Sequence, residues 1–212
     1  MTKGRLIVLE GLDASGKRTQ AGMLMAALRR RRRKAQLVSF PAYGTHYGKL
    51  VESYLSGKLG GREGIPPEAA AVLFALDRLQ FKQKIEGMLA EGVTVVADRY
   101  VQSNLYQAAR VPRGNKRTAF IRWLDRLEEG MPKADKVVFL DVPVRASRRL
   151  LKKRGRKKDV NEKDARYLEE VRGVYLSEAR RKGWKVVKCL DANGRLRKEA
   201  DIAADVLKAI SI

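Results

Sequence analysis

Nine consecutive residues near the N-terminus have the types and spacing of a phosphate-holding loop: Gly11-Leu12-Asp13-Ala14-Ser15-Gly16-Lys17-Arg18-Thr19. Gly11 and Gly16 permit turns that aim successive amides, those of Ala14 and Ser15 among them, toward one point. The helix that follows adds its own N-terminal amides. Lys17 supplies a mobile positive charge beside the group to be transferred. After Lys17 stands Arg18, where such loops usually place the Ser or Thr that contacts magnesium, and Thr19 comes one residue late. The pattern therefore predicts magnesium held through phosphates and water, with Arg18 reaching phosphate oxygens instead. A second candidate pole is Asp98-Arg99, directly after the apolar run Val93 to Ala97. A carboxylate at the C-terminal end of a buried parallel strand faces the ligand crevice. Asp98 there suits magnesium or its water, and Arg99 suits a phosphate.

Elements must exist to bring these residues together, and the hydrophobic pattern supplies them. Apolar runs at Leu6 to Leu9, Ala35 to Phe40, Val93 to Ala97, Lys136 to Leu140 and Trp184 to Leu190 predict five short strands. Helical spacing predicts helices over Thr19 to Arg33, Gly48 to Leu55, Gln102 to Arg110, Lys116 to Leu127, Arg145 to Lys153, Lys163 to Lys182 and Lys198 to Ile210. Pro67 to Leu89 reads as one long helix, with Pro67 in its first turn and Gly92 beyond its end. Strands alternating with helices imply an α/β fold, a parallel sheet covered on both faces. No repeat or low-complexity linker divides the 212 residues, so one domain is expected.

Composition limits the partners. The formal charge is +22, with 46 basic and 24 acidic residues, which favours anionic partners: nucleotides, nucleic acid or acidic surfaces. The run Arg29 to Lys34 reads as a solvated helix C-terminus. A second basic cluster spans Lys152 to Lys158. One cysteine allows no internal disulfide, and one histidine leaves no Cys/His set for zinc. Cys189, inside the last strand, reads as a small buried hydrophobe. No stretch is long and apolar enough for a membrane span, so a cytoplasmic setting is expected.

These motifs in this order resemble thymidylate kinase, a family of nucleoside monophosphate kinases. The resemblance rests on Gly11 to Thr19, Phe40-Pro41, Leu73-Phe74-Ala75-Leu76-Asp77-Arg78, Asp98-Arg99-Tyr100 with Ser103-Asn104, and Met131-Pro132-Lys133-Ala134-Asp135. It implies the three-layer P-loop NTP hydrolase fold and transfer of the γ-phosphate of ATP to dTMP, with Mg2+. It also implies a homodimer, to which an apolar helix such as Ala69 to Leu76 would contribute. Asp13 would contact the sugar hydroxyl of dTMP, Phe74 would stack on thymine, Arg78 would donate to a base carbonyl, and Asn104 would lie near the base edge. Gln107, three residues after Asn104, can converge on the same ligand. Phe40, Pro41, Tyr43 and Ser103 fall in the matched acceptor segments. Arg99 would bind the acceptor phosphate. A lid over ATP is implied at about residues 149–162, with Arg149, Arg154 or Arg156 supplying the cation that relatives place inside the loop at Ala14. Asn161 and Glu162 follow where relatives have groups near the substrate. Ala42 departs from the pattern, since relatives usually have arginine there. Two alternatives stay open: a kinase for another nucleoside monophosphate, and a basic P-loop nucleic-acid-binding protein using ATP as a switch.

Overall fold

The computed structural model describes residues 3–153, 159–161 and 164–211. Arg154, Arg156 and Glu162 therefore lie outside the described residues. Five strands, β1 (Leu6–Gly11), β2 (Ala35–Ser39), β3 (Thr94–Asp98), β4 (Lys136–Asp141) and β5 (Lys185–Lys188), pair in parallel in the order β2-β3-β1-β4-β5. β1 is central, and all six of its residues are buried. That position explains the apolar run Leu6 to Leu9, because helices cover both faces.

Successive β1 side chains serve opposite layers. Ile7 and Leu9 pack with Leu24 and Leu28 of α1 (Lys17–Arg30) and with Ile202 and Val206 of α10 (Glu199–Ala209). Leu6 and Val8 pack with Ile85 and Leu89. Between α1 and α10 the described helices are α2 (His46–Leu55), α3 (Gly61–Gly64), α4 (Pro67–Leu79), α5 (Lys82–Ala90), α6 (Leu105–Ala108), α7 (Asn115–Leu127), α8 (Val144–Lys153) and α9 (Ala165–Lys182). On the Leu6 side, Phe139 of β4 stacks on Tyr175 of α9, with ring centroids 4.9 Å apart.

Two predicted helices differ from the structure. The expected long helix from Pro67 to Leu89 is two helices, α4 and α5, joined through Gln80 and Phe81. The amide of Phe81 bonds back to Arg78 O at 2.9 Å, and the Phe81 ring meets Phe40 edge-on at 5.4 Å. Packing on Phe40 outweighs an apolar periodicity that would otherwise run on. The expected helix from Gln102 to Arg110 is a 3-10 turn, Val101–Asn104, followed by the single turn of α6. The short α3 lies in a stretch for which the periodicity predicts nothing.

The sheet register sets up the site. Leu9 pairs with Asp98 and Gly11 with Leu140, so β1, β3 and β4 end side by side. The chain leaves β1 into the glycine loop and leaves β3 into Arg99, both on the carboxyl edge.

Candidate functional site at the carboxyl ends of β1 and β3

The glycine loop wraps between β1 and α1. Gly16 has φ +87° and precedes the first residue of α1. Ala14 also takes a left-handed φ, of 59°. At Gly11 a Cβ would stand 2.5 Å from Ser15 Oγ and 2.9 Å from Leu140 O, so only glycine fits. Lys17 is buried, and its Nζ donates to Gly11 O at 3.0 Å and Leu12 O at 2.8 Å. Burial, reinforced by the charge of Arg99, pushes the Lys17 ammonium down to about 8, although Asp13, Asp98 and Glu10 oppose the shift. Arg18 is exposed and Thr19 half-buried at the start of α1.

One residue of the loop, Asp13, is paired with a charge from the end of β3. Arg99 Nη2 donates to Asp13 Oδ1, and Tyr106 Oη donates to Asp13 Oδ2 at 3.1 Å. Burial alone would raise the Asp13 carboxyl. The charges of Arg99 and Lys17 and the Tyr106 hydroxyl outweigh it and hold the group below its ordinary value. Arg99 has φ +68°, a left-handed conformation that costs a non-glycine residue about 1–3 kcal/mol. Its amide bonds to Leu9 O at 3.0 Å, and its guanidinium lies 5.3 Å from the centre of the Tyr106 ring.

Glu10 holds this geometry and is absent from the sequence-predicted set. Its fully buried carboxylate accepts Tyr100 N at 3.0 Å, Ser103 Oγ at 2.9 Å and Tyr175 Oη at 2.9 Å. Burial raises the Glu10 carboxyl against the pull of Arg99. A lone carboxylate in an apolar strand, just before the glycine loop, was the sequence signal available for it. Tyr106, Tyr175 and Glu128 carried no comparable signal.

Between these groups lies a narrow cavity of about 70 Å³. Its walls include Asp13, Phe40, Pro41, Tyr43, Phe74 and Arg78 of the predicted residues, and also Arg99, Ser103 and Asn161. Leu55, Tyr106 and Asp159 complete it. A larger hollow of about 540 Å³ opens near Lys136 and Lys185, at the opposite ends of β4 and β5.

Not every predicted residue reaches this wall. Asn104 and Gln107 are buried behind it; Gln107 Oε1 accepts Arg110 Nη1 at 2.8 Å. Arg78 lines the wall but is tied to Glu128 by two bonds of 2.6 and 2.7 Å. Arg149 is exposed on α8 and borders a separate hollow with Arg145 and Arg148. Cys189 is fully buried, and burial pushes its thiol up to about 12, as its reading as a core residue requires.

Among the described residues, no three His, Cys, Asp or Glu side chains are arranged to hold a metal ion. Glu10 is occupied by its hydrogen bonds and Asp13 by Arg99, whereas Asp98 stands half-buried at the end of β3. This donor set fits a divalent ion that arrives on nucleotide phosphates, not a cage built by the protein. No described helix is long and apolar enough to cross a membrane.

A parallel sheet with a glycine loop after its central strand, opening into a helix N-terminus, defines a P-loop nucleotide-phosphate-binding protein. A family model, thymidylate kinase, matches residues 9–199. The chain belongs to the thymidylate kinase family. The human thymidylate kinase is 36% identical over 140 residues, 66% of this chain and 62% of that relative, so the match spans a little under two thirds of its length. The Mycobacterium tuberculosis thymidylate kinase is 34% identical over 188 residues, covering 84% of this chain and 87% of its own. A solved thymidylate kinase from Candida albicans shares the fold, with TM-score 0.78 and 24% identity over 99% of this chain and 92% of that one.

Proposed function

We propose that the protein transfers the γ-phosphate of ATP to dTMP, giving ADP and dTDP. The observation that carries this reading is that Asp13 of the glycine loop is bonded to Arg99 and Tyr106 at the edge of a cavity walled by Phe40, Phe74 and Arg78. The acceptor is already an ionised phosphate, so alignment and charge neutralisation suffice and no strong base is required.

In this reading the loop amides and Lys17 take the ATP phosphates. Lys17 exchanges the carbonyls of Gly11 and Leu12 for phosphate oxygens, whose negative charge favours its ammonium form. Asp13 and Arg99 hold each other in the absence of substrate; the sugar hydroxyl of dTMP takes up Asp13, and its phosphate takes up Arg99. The 70 Å³ cavity must widen to admit a nucleotide. Magnesium on the ATP phosphates supplies neutralisation of the charge that builds up during transfer. Asp98 is the residue we assign to its water shell. A lid arginine, Arg149, Arg154 or Arg156, completes the positive surround and excludes water. We place the enzyme in the cytoplasm, as a homodimer.

ADP release measured with each nucleoside monophosphate in turn tests this. Release that rises with dTMP supports it. Release that rises only with another acceptor overturns the substrate assignment. No rise with any acceptor, together with tight salt-dependent binding to DNA, turns the reading toward a nucleic-acid switch.

A further inference from the structure

Glu128 follows the end of α7 and is 8% exposed, and it does not line the cavity beside Asp13 and Arg99. It is nevertheless tied to that wall. Its Oε2 accepts Arg78 Nε at 2.6 Å, and its Oε1 accepts both Arg78 Nη2 and Asn104 Nδ2, each at 2.7 Å. Asn104 Nδ2 gives a further bond to Ala71 O at 3.2 Å. A carboxylate only accepts, so Glu128 fixes the Asn104 amide with its nitrogen inward and its oxygen turned away. That oxygen, Oδ1, is buried and has no hydrogen-bond partner among the described residues. A buried acceptor left unpaired is costly unless a ligand or a water supplies the donor. Arg78 lines the cavity, and with Nε and Nη2 committed to Glu128, Nη1 is the nitrogen outside that pair. Its charge is balanced by Glu128, so it suits a neutral carbonyl more than a phosphate.

We infer that Glu128 is a positioning residue for base recognition, holding Arg78 as a donor on the wall and Asn104 Oδ1 as an acceptor that becomes accessible when the cavity widens. That pair matches a pyrimidine edge that offers a carbonyl beside a ring N–H. The cytosine edge offers an amino group beside a bare ring nitrogen, so each contact would be mismatched. The inference rests on the proposed dTMP reading and adds to it a residue that never touches the base.

The test compares kcat and KM for dTMP, dUMP and dCMP in the wild type, Glu128→Gln and Glu128→Asp, with thermal melts to verify folding. Glutamine can present nitrogen or oxygen to Asn104, so the amide is released to flip. In Glu128→Gln, KM for dTMP and dUMP should rise about tenfold or more, with kcat changed by less than about threefold. The preference for dTMP over dCMP should fall about tenfold or more, and that for dTMP over dUMP should stay, because those two bases share the edge. Glu128→Asp keeps the charge and the fold but withdraws the carboxylate by one methylene. It should move the same ratios less, and it carries the test alone if the glutamine variant does not fold. Parallel loss for all three acceptors, or an unchanged dTMP-to-dCMP preference, overturns the inference while leaving the dTMP assignment intact. A wild type that phosphorylates none of them overturns both.

Discussion

On the proposed reading the site has a donor side and an acceptor side, and the two are built by different means. The donor side is contiguous: Gly11 to Thr19 form one turn, and backbone amides and carbonyls do most of its bonding. The acceptor side is assembled from residues far apart in the chain, and side-chain charge pairs hold it. Arg99 reaches Asp13 on the glycine loop, where the two sides meet, Arg78 bonds Glu128, and Tyr100 and Ser103 bond Glu10. A backbone cradle accepts phosphate on any nucleotide, whereas paired side chains fix positions finely enough to read one acceptor. The donor side should therefore lose activity when altered with little loss of stability, and the acceptor side should lose both.

The largest expected effect is on the acceptor side. Arg78→Ala leaves the buried Glu128 carboxylate without its cation, which should cost about 3–5 kcal/mol of stability in urea unfolding. A loss under about 1 kcal/mol would show that the pair is not held tightly. Next, Arg99→Ala and Lys17→Ala should each lower turnover at least about hundredfold. The contrast is in their melting curves: Lys17→Ala removes a desolvated cation and should leave the Tm nearly unchanged, while Arg99→Ala should lower it by releasing Asp13. Equal Tm losses would erase the distinction between the two sides.

The pH dependence sharpens the same contrast. Lys17 is held down to about 8, and only its charged form attracts phosphate. The kcat/KM for ATP should therefore be highest below pH 8 and fall as pH rises through it, in a limb set by the free enzyme. Asp13 is held below its ordinary value, so it stays ionised across that whole range. A flat profile from pH 7 to 10 would contradict the burial of Lys17. The smallest effect belongs to Gly16→Ala. A Cβ there meets nothing within 4 Å, but φ is +87°, so the cost should be about 1 kcal/mol by thermal melt.

Much of the donor side was legible in the sequence because its residues are neighbours. The strands were legible too: in β1, β3 and β4 burial on both faces forces apolar runs such as Leu6 to Leu9, whereas the edge strands β2 and β5 are largely exposed. Apart from Arg99, which its place at a strand end marked, the acceptor side was legible only through the family resemblance. Asp13 and Tyr106 are 93 residues apart, and Arg78 and Glu128 are 50 apart, so no local pattern joins them. The resemblance identified Arg78 and Asn104 but not the carboxylate that holds them.

By itself the sequence determined the layered α/β architecture, the phosphate loop and the cations available to it. Those follow from local rules: apolar periodicity, glycine's conformational freedom and the direction of helix amides. The tertiary structure alone decided which charges neutralise one another, where the helix after Pro67 breaks, and which polar atoms stay unpaired. Those outcomes depend on burial and on contacts between distant segments, where a few ångströms of packing decide whether a carboxylate is satisfied or orphaned.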